Sequence, residues 1–319
     1  MKPVEQAPGL RGLPVKKLLL ILGCSATVYA AVMLAWGTDG TTSLAVLLSW
    51  TGVQAACLCL ASYVLRGLRW RLWMAHYGRS FGLVEGLRLY CAGYAFTPTP
   101  GNVGEAVRGL MLARQPLGAA QSLAIFGAER LADLLCMLLL CLPAVAWAMQ
   151  HVHVKNLLQV SPDLFWRLAL AAGGFAVLAL GLAIRYGGPL VRRLAWLQAA
   201  WHCLALRPWP WLWLTLTAWA AQGLAFWLLC RALDVQVPLV TAIGFYAVAM
   251  VAGALSALPA GLGSMEVVLA ALLVAQNASG AEALTITLLT RLLTLWLAVL
   301  IGMACLVYSV AFKKDISFS

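Results

Sequence analysis

The apolar sequence of this chain is broken twice by the same device: a proline- and glycine-rich run that ends in a glutamate, followed 25 residues later by an arginine. The first instance reads Pro98-Thr99-Pro100-Gly101-Asn102-Val103-Gly104-Glu105, with Arg130 downstream. The second reads Pro259-Ala260-Gly261-Leu262-Gly263-Ser264-Met265-Glu266, with Arg291 downstream. The two lie 161 residues apart in a chain of 319, so each half carries one copy. An ionisable side chain within a membrane segment costs at least about 2.5 kcal/mol on insertion scales, and a Glu and an Arg recurring at matched places point to function.

Hydrophobic residues make up 63% of the chain and charged residues 10%, and the mean hydropathy is +0.89. That is too little polar surface for a water-soluble globule of this size, and it implies an all-α polytopic membrane protein. The net charge of +11 lies in short loops beside apolar helices, which argues against nucleic acid as a partner and for basic residues that orient the chain. The first apolar run, after Arg11, Lys16 and Lys17, continues to Trp36 and is longer than a signal core, so an uncleaved first helix is expected. Nine cysteines, eight of them in apolar runs, show no metal or redox spacing and read as small buried hydrophobes. His151 and His153 lack a nearby third ligand. No metal and no cofactor are expected, and no catalytic motif is present.

Full crossings are expected at 18 to 36, 43 to 65, 118 to 149, 164 to 184, 209 to 230 and 284 to 311. Residues 82 to 113 and 238 to 277 contain the two breaks, with arms too short to span, and are expected to be re-entrant hairpins. Arg66, Arg69, Arg71 and Arg79, then Arg185, Arg192, Arg193 and Arg207, then Lys313 and Lys314 fall on one side of this scheme, which the positive-inside rule assigns to the cytoplasm. Three crossings and one hairpin per half invert the second copy. The expected organisation is a cytoplasmic arm at 1–17, a first repeat at 18–149, a second, inverted repeat at 164–311 and a cytoplasmic tail at 312–319. Leu83, Val84 and Tyr90 match Leu239, Val240 and Tyr246 at a common offset of 156.

Pro98, Pro100, Gly101 and Gly104 break the first hairpin, and Pro259, Gly261 and Gly263 the second, so that Glu105 and Glu266 begin the outgoing arms. Arg130 and Arg291 lie roughly 10 to 18 Å into the following crossings, deep enough to meet those glutamates. Such pairs either clamp hairpin to helix or open when an anionic headgroup replaces the carboxylate on the guanidinium. The first half carries additional charge in Arg108, Glu129 and Asp133, where the second has Leu269, Thr290 and Thr294. This suggests that the first hairpin holds a polar headgroup more strongly; snorkelling of Arg88 and Arg108 to the interface is the alternative. The cluster Arg66, Arg69, Trp70, Arg71 and Trp73 reads as an interfacial topology anchor or an attractor of anionic lipid, and Trp209, Trp211 and Trp213 as interfacial belt.

Arg69-Trp70, the stretch from Pro100 through Gly104-Glu105 to Arg108, Glu129-Arg130 with Asp133, and Pro259 to Glu266 followed by Arg291 together resemble the lysylphosphatidylglycerol synthase transmembrane family, the flippase-like part of bacterial multiple-peptide-resistance proteins. The likeness runs over about residues 15 to 311. It implies movement of aminoacylated or otherwise modified lipids between leaflets, with Glu105, Arg108, Glu129, Arg130, Asp133, Glu266 and Arg291 at the motif positions. The sequence contains no soluble aminoacyl-transferase segment, so lipid aminoacylation is not expected of it.

The expected function is a lipid translocase of the bacterial inner membrane, moving a polar, anionic or modified lipid; membrane lipids are the substrate, and a separate lipid-modifying enzyme or glycosyltransferase is a candidate partner. The alternatives are a membrane glycosyltransferase or lipid-modifying enzyme, and an accessory subunit of one. With both termini cytoplasmic, an impermeant thiol reagent applied to spheroplasts labels a cysteine placed at Ser279 and not one placed at Lys313. The reverse pattern removes the inverted arrangement.

Overall fold

The computed structural model describes residues 45–98, 105, 106, 108, 117–151, 195–205, 208–256 and 258–311. In chain order the helices are α1 (Trp50–His76), α2 (Leu83–Ala92) running into a 3-10 turn (Gly93–Phe96), α3 (Ala119–His151), α4 (Ala195–Ala205), α5 (Pro208–Ala232), α6 (Leu239–Leu255), α7 (Ser264–Ala275), α8 (Gly280–Arg291) and α9 (Leu297–Ala311). A π-helical turn at Leu292–Trp296 joins α8 to α9 without a break. Among the described residues all regular structure is helical, and four stretches, α1, α3, α5 and the continuous α8–α9, are long and apolar enough to cross a membrane.

These four correspond to the crossings expected from residues 43, 118, 209 and 284 onward. The crossings expected at 18 to 36 and 164 to 184 lie outside the described residues, as do both terminal segments and Pro100, Gly101 and Gly104 of the first break.

One expectation is overturned at α1. The helix does not stop before Arg66; it runs to His76 and carries Arg66, Arg69, Trp70, Arg71 and Trp73 within it. Gly52, Ala55, Cys59, Tyr63, Arg66, Trp70 and Trp73 recur every three or four places, which places them on one face, and that face is buried. The cluster is therefore interior and not an interfacial anchor: Trp70 and Trp73 are covered almost completely. Trp211 is likewise buried, its indole N–H donating to the Leu204 carbonyl at 2.7 Å, whereas Trp209 and Trp213 are exposed as an interfacial belt requires.

The helices interlock reciprocally. α1 and α5 lie along one another at the centre. The arm α6 of the second half packs on α3 of the first, and α2 with its 3-10 turn packs on α9. Glycine permits both cross-half contacts. A β-carbon on Gly244 would sit 2.6 Å from the Ala144 nitrogen, and one on Gly302 would overlap the Ala95 nitrogen.

Between α6 and α7 the chain turns through Pro259–Gly261. Gly261 has φ 66°, and a β-carbon there would meet the Gly253 backbone at 2.9 Å, so both the turn and its seat on α6 exclude a side chain. Gly263 at φ 87° precedes α7, and the Glu266 carboxylate accepts its N–H at 2.8 Å. The sequence break is thus a tight tip between two apolar helices, each shorter than a crossing.

Substituting Gly244→Val or Gly302→Val is expected to lower stability by about 1 to 3 kcal/mol through overpacking. Gly280→Ala, where the added carbon meets nothing within 4 Å, leaves it unchanged. Thermal unfolding in detergent measures the difference.

Candidate functional site

α3 brings the first set of charges together. Glu129 and Asp133 are one turn apart and face inward, both buried, toward α1, α5 and the segment that carries Glu105 and Arg108. Arg69, which the sequence placed at the interface, donates to Asp133 at 2.6 Å and to the Thr215 hydroxyl at 2.9 Å, with Glu129 at 3.9 Å. Arg108 donates to Glu105 at 2.6 Å and to Glu129 at 3.3 Å, and its guanidinium lies 4.3 Å from the centre of the Tyr90 ring. It is buried, so it does not snorkel. Arg130 lies between Glu105 and Asp133, 3.5 Å from the same Glu105 oxygen that Arg108 meets and 3.3 Å from the second Asp133 oxygen.

Neutral donors complete the carboxylates. The Thr97 hydroxyl donates to Glu105 at 2.9 Å, and the Trp219 indole donates to Asp133 at 3.1 Å. Every carboxylate of this cluster therefore meets at least two donors or cations. That pairing offsets the penalty of taking an ion out of water, which is several kcal/mol per ion when unpaired. The additional charge of the first half is thus largely taken up in pairing within the protein.

The second pair is simpler. Arg291 donates from Nε to Glu266 at 2.8 Å and from an Nη to the Ala260 carbonyl, also at 2.8 Å, so it ties the tip before α7 to the end of α8. The π turn begins at the next residue. Such a turn departs from the regular bonding of an α-helix, and the Tyr63 hydroxyl of α1 donates to the Leu293 carbonyl within it at 2.8 Å.

Both clusters border one cavity of about 390 Å³. Of the sequence-predicted residues, Glu105, Arg130, Asp133 and Arg291 line it; Arg108, Glu129 and Glu266 stand behind them. Pro98 is buried, and Gly261 lines the cavity at the second tip. Further polar residues line it that the sequence reading did not place in the site, among them Arg66, Tyr94, Thr97, Trp219, Gln222 and Tyr246. The signal for Arg66 was available, since it stands on the same helical stripe as Tyr63 and Trp70. Gln222 and Trp219 sit in an apolar helix with nothing in the local sequence to single them out. The other wall is apolar and opens outward: Leu134 is 39% exposed, Leu258 46% and Leu255 78%. Among the described residues no three His, Cys, Asp or Glu side chains form a metal-binding group.

Exposure separates the two arginines that line this cavity from the predicted set. The Arg130 side chain is 32% exposed and that of Arg291 4%, so Arg130 presents itself to the cavity while Arg291 is committed to the protein. Arg69 is more deeply held than either, and Arg69→Met leaves Asp133 and Glu129 short of a cation in a buried setting. A loss of about 3 to 5 kcal/mol is expected, read as reduced expression and an earlier thermal transition; an interfacial anchor at this position would tolerate the change.

Among curated proteins none matches the chain. The sequence model of the family described as "Lysylphosphatidylglycerol synthase TM region" matches residues 18–302, a stretch that contains every charged residue of both clusters. With both clusters inside that match and the helices long enough to cross a membrane, the chain belongs to the family of the lysylphosphatidylglycerol synthase transmembrane region.

Proposed function

We propose that this chain is a lipid translocase of the bacterial inner membrane that holds a polar headgroup between its two halves while the acyl chains stay in the apolar wall. One observation carries this reading: the cavity is charged on one side, through Arg130, Asp133 and Arg291, and apolar and open on the other, through Leu134, Leu255 and Leu258. A ligand that satisfies both walls is itself polar at one end and hydrocarbon at the other. The site is one of binding and passage, without bond making, and a separate lipid-modifying enzyme would supply a modified lipid.

The reciprocal packing of α6 on α3 and of α2 on α9 supports two inverted repeats, 18–149 and 164–311, each with a re-entrant hairpin and both termini cytoplasmic. In that arrangement the Pro259–Gly261 tip, which borders the cavity, lies near the bilayer middle, where broken backbone is tolerated because protein and a polar cavity cover it. The headgroup enters beside one tip, displaces part of the bonding of Arg130, and leaves beside the other as the halves rock.

Arg130→Gln tests this. Glu105 keeps Arg108 at 2.6 Å and Asp133 keeps Arg69 at 2.6 Å, so removing the Arg130 charge orphans no carboxylate. Stability should therefore fall by no more than about 1 kcal/mol. Lipid movement, followed with fluorescent lipids in liposomes, should fall at least about tenfold, the loss of one charge-assisted contact. A variant that unfolds together with its loss of activity assigns Arg130 to a clamp and removes it from the passage.

A further inference from the structure

Among the described residues the charges around the cavity do not balance. Arg66, Arg69, Arg108, Arg130 and Arg291 line it or bond to groups that do, against Glu105, Glu129, Asp133 and Glu266. Four of these arginines bond a carboxylate. Arg66 does not: it is 7% exposed, it lines the cavity, its Nε is buried without a hydrogen-bond partner, and among the described residues no carboxylate lies within ion-pair distance of it. Aromatic rings surround it instead, with the guanidinium carbon 4.6 Å from the ring centre of Trp219, 5.5 Å from Tyr94 and 5.6 Å from Tyr63.

Those rings stabilise the cation and hold its plane, but they do not accept strong hydrogen bonds from its N–H edges. Two neutral donors on the same cavity are also unused: the Tyr94 hydroxyl and the Gln222 side-chain amide nitrogen are buried without partners. An unmatched cation and two unmatched donors around one space describe an acceptor site for an anion.

We infer that Arg66, with Tyr94 and Gln222, is the phosphate-binding subsite of the cavity, and that the lipid it admits carries a phosphate diester in its headgroup. This rests on the lipid-binding reading of the cavity and places the resting phosphate on Arg66, with Arg130, whose guanidinium already faces carboxylates, meeting the headgroup only during its passage. A guanidinium is planar, weakly hydrated and shaped to bond two phosphate oxygens together. One monoanionic diester also evens the charge count. The aromatic collar keeps Arg66 positioned before the ligand arrives, so little ordering is needed on binding.

The test is equilibrium binding to the full chain in detergent, with three probes: short-chain phosphatidylglycerol, the matching diacylglycerol without phosphate, and inorganic phosphate. The wild type should bind phosphatidylglycerol at least about tenfold more tightly than diacylglycerol. Arg66→Gln should abolish that preference without weakening diacylglycerol binding, and Arg66→Lys should keep part of it. A preference that survives Arg66→Gln overturns the assignment. Displacement of the lipid by millimolar inorganic phosphate would show a site for the free anion and overturn its lipid part. Should Arg66→Gln fail to fold, Tyr94→Phe removes one unused hydroxyl and keeps the packing; weaker phosphatidylglycerol binding supports the subsite, and unchanged binding overturns it. Because this binding needs no bilayer, a wild type that binds but moves no lipid in liposomes removes the translocase reading alone, and one that moves lipid without preferring phosphate removes the subsite alone.

Discussion

An ionised side chain inside a hydrocarbon-facing bundle must find its counter-charge within the protein, and the whole site follows from how that is met here. Glu105, Glu129 and Asp133 are joined to Arg69, Arg108 and Arg130 by contacts of 2.6 to 3.9 Å. The network draws on α1, α3 and the segment after the first break, and neutral donors come from α5 and the end of the 3-10 turn. Replacing any of its fully buried members strands a partner, so these elements are fixed relative to one another by electrostatics as much as by packing.

Among the described residues the second half brings one ion pair to the cavity. Arg291 bonds Glu266 and the Ala260 carbonyl, Glu266 also accepts the Gly263 N–H, and these contacts join the α7 tip to α8. The tip itself rests on glycines, and a β-carbon on Gly261 would meet the Gly253 backbone at 2.9 Å. The reciprocal contacts of α6 on α3 and of α2 on α9 tie each half to a helix of the other. On the proposed translocase reading, the charged wall and the glycine tip are the two sides between which the cavity would alternate its exposure.

The remaining member of the charge set gives the cavity its chemical character. Arg66 is stacked among Tyr63, Tyr94 and Trp219 and, among the described residues, has no carboxylate within ion-pair distance. Aromatic faces make a buried cation tolerable without neutralising it, which leaves the space beside it attractive to an anion. On the proposed reading, the apolar wall formed by Leu134 and Leu255 selects an anion that brings hydrocarbon with it.

Much of this was legible in the amino-acid order. Hydropathy determined a membrane bundle, because backbone in hydrocarbon must close its own hydrogen bonds, and runs of this length do so only as helices. The spacing of 25 residues also anticipated that Glu266 meets Arg291 and that Arg130 comes within ion-pair range of Glu105, but not that the short bond of Glu105 goes to Arg108. Sequence position could not decide the fate of Arg66 and Arg69. Basic residues beside tryptophans look alike whether they anchor a loop or fill a core, and the difference lies in partners from far along the chain: Asp133, Thr215 and Trp219. Those contacts exist only once α1, α3 and α5 are packed, so the pairing of Arg69 and the solitude of Arg66 were decided by tertiary structure alone.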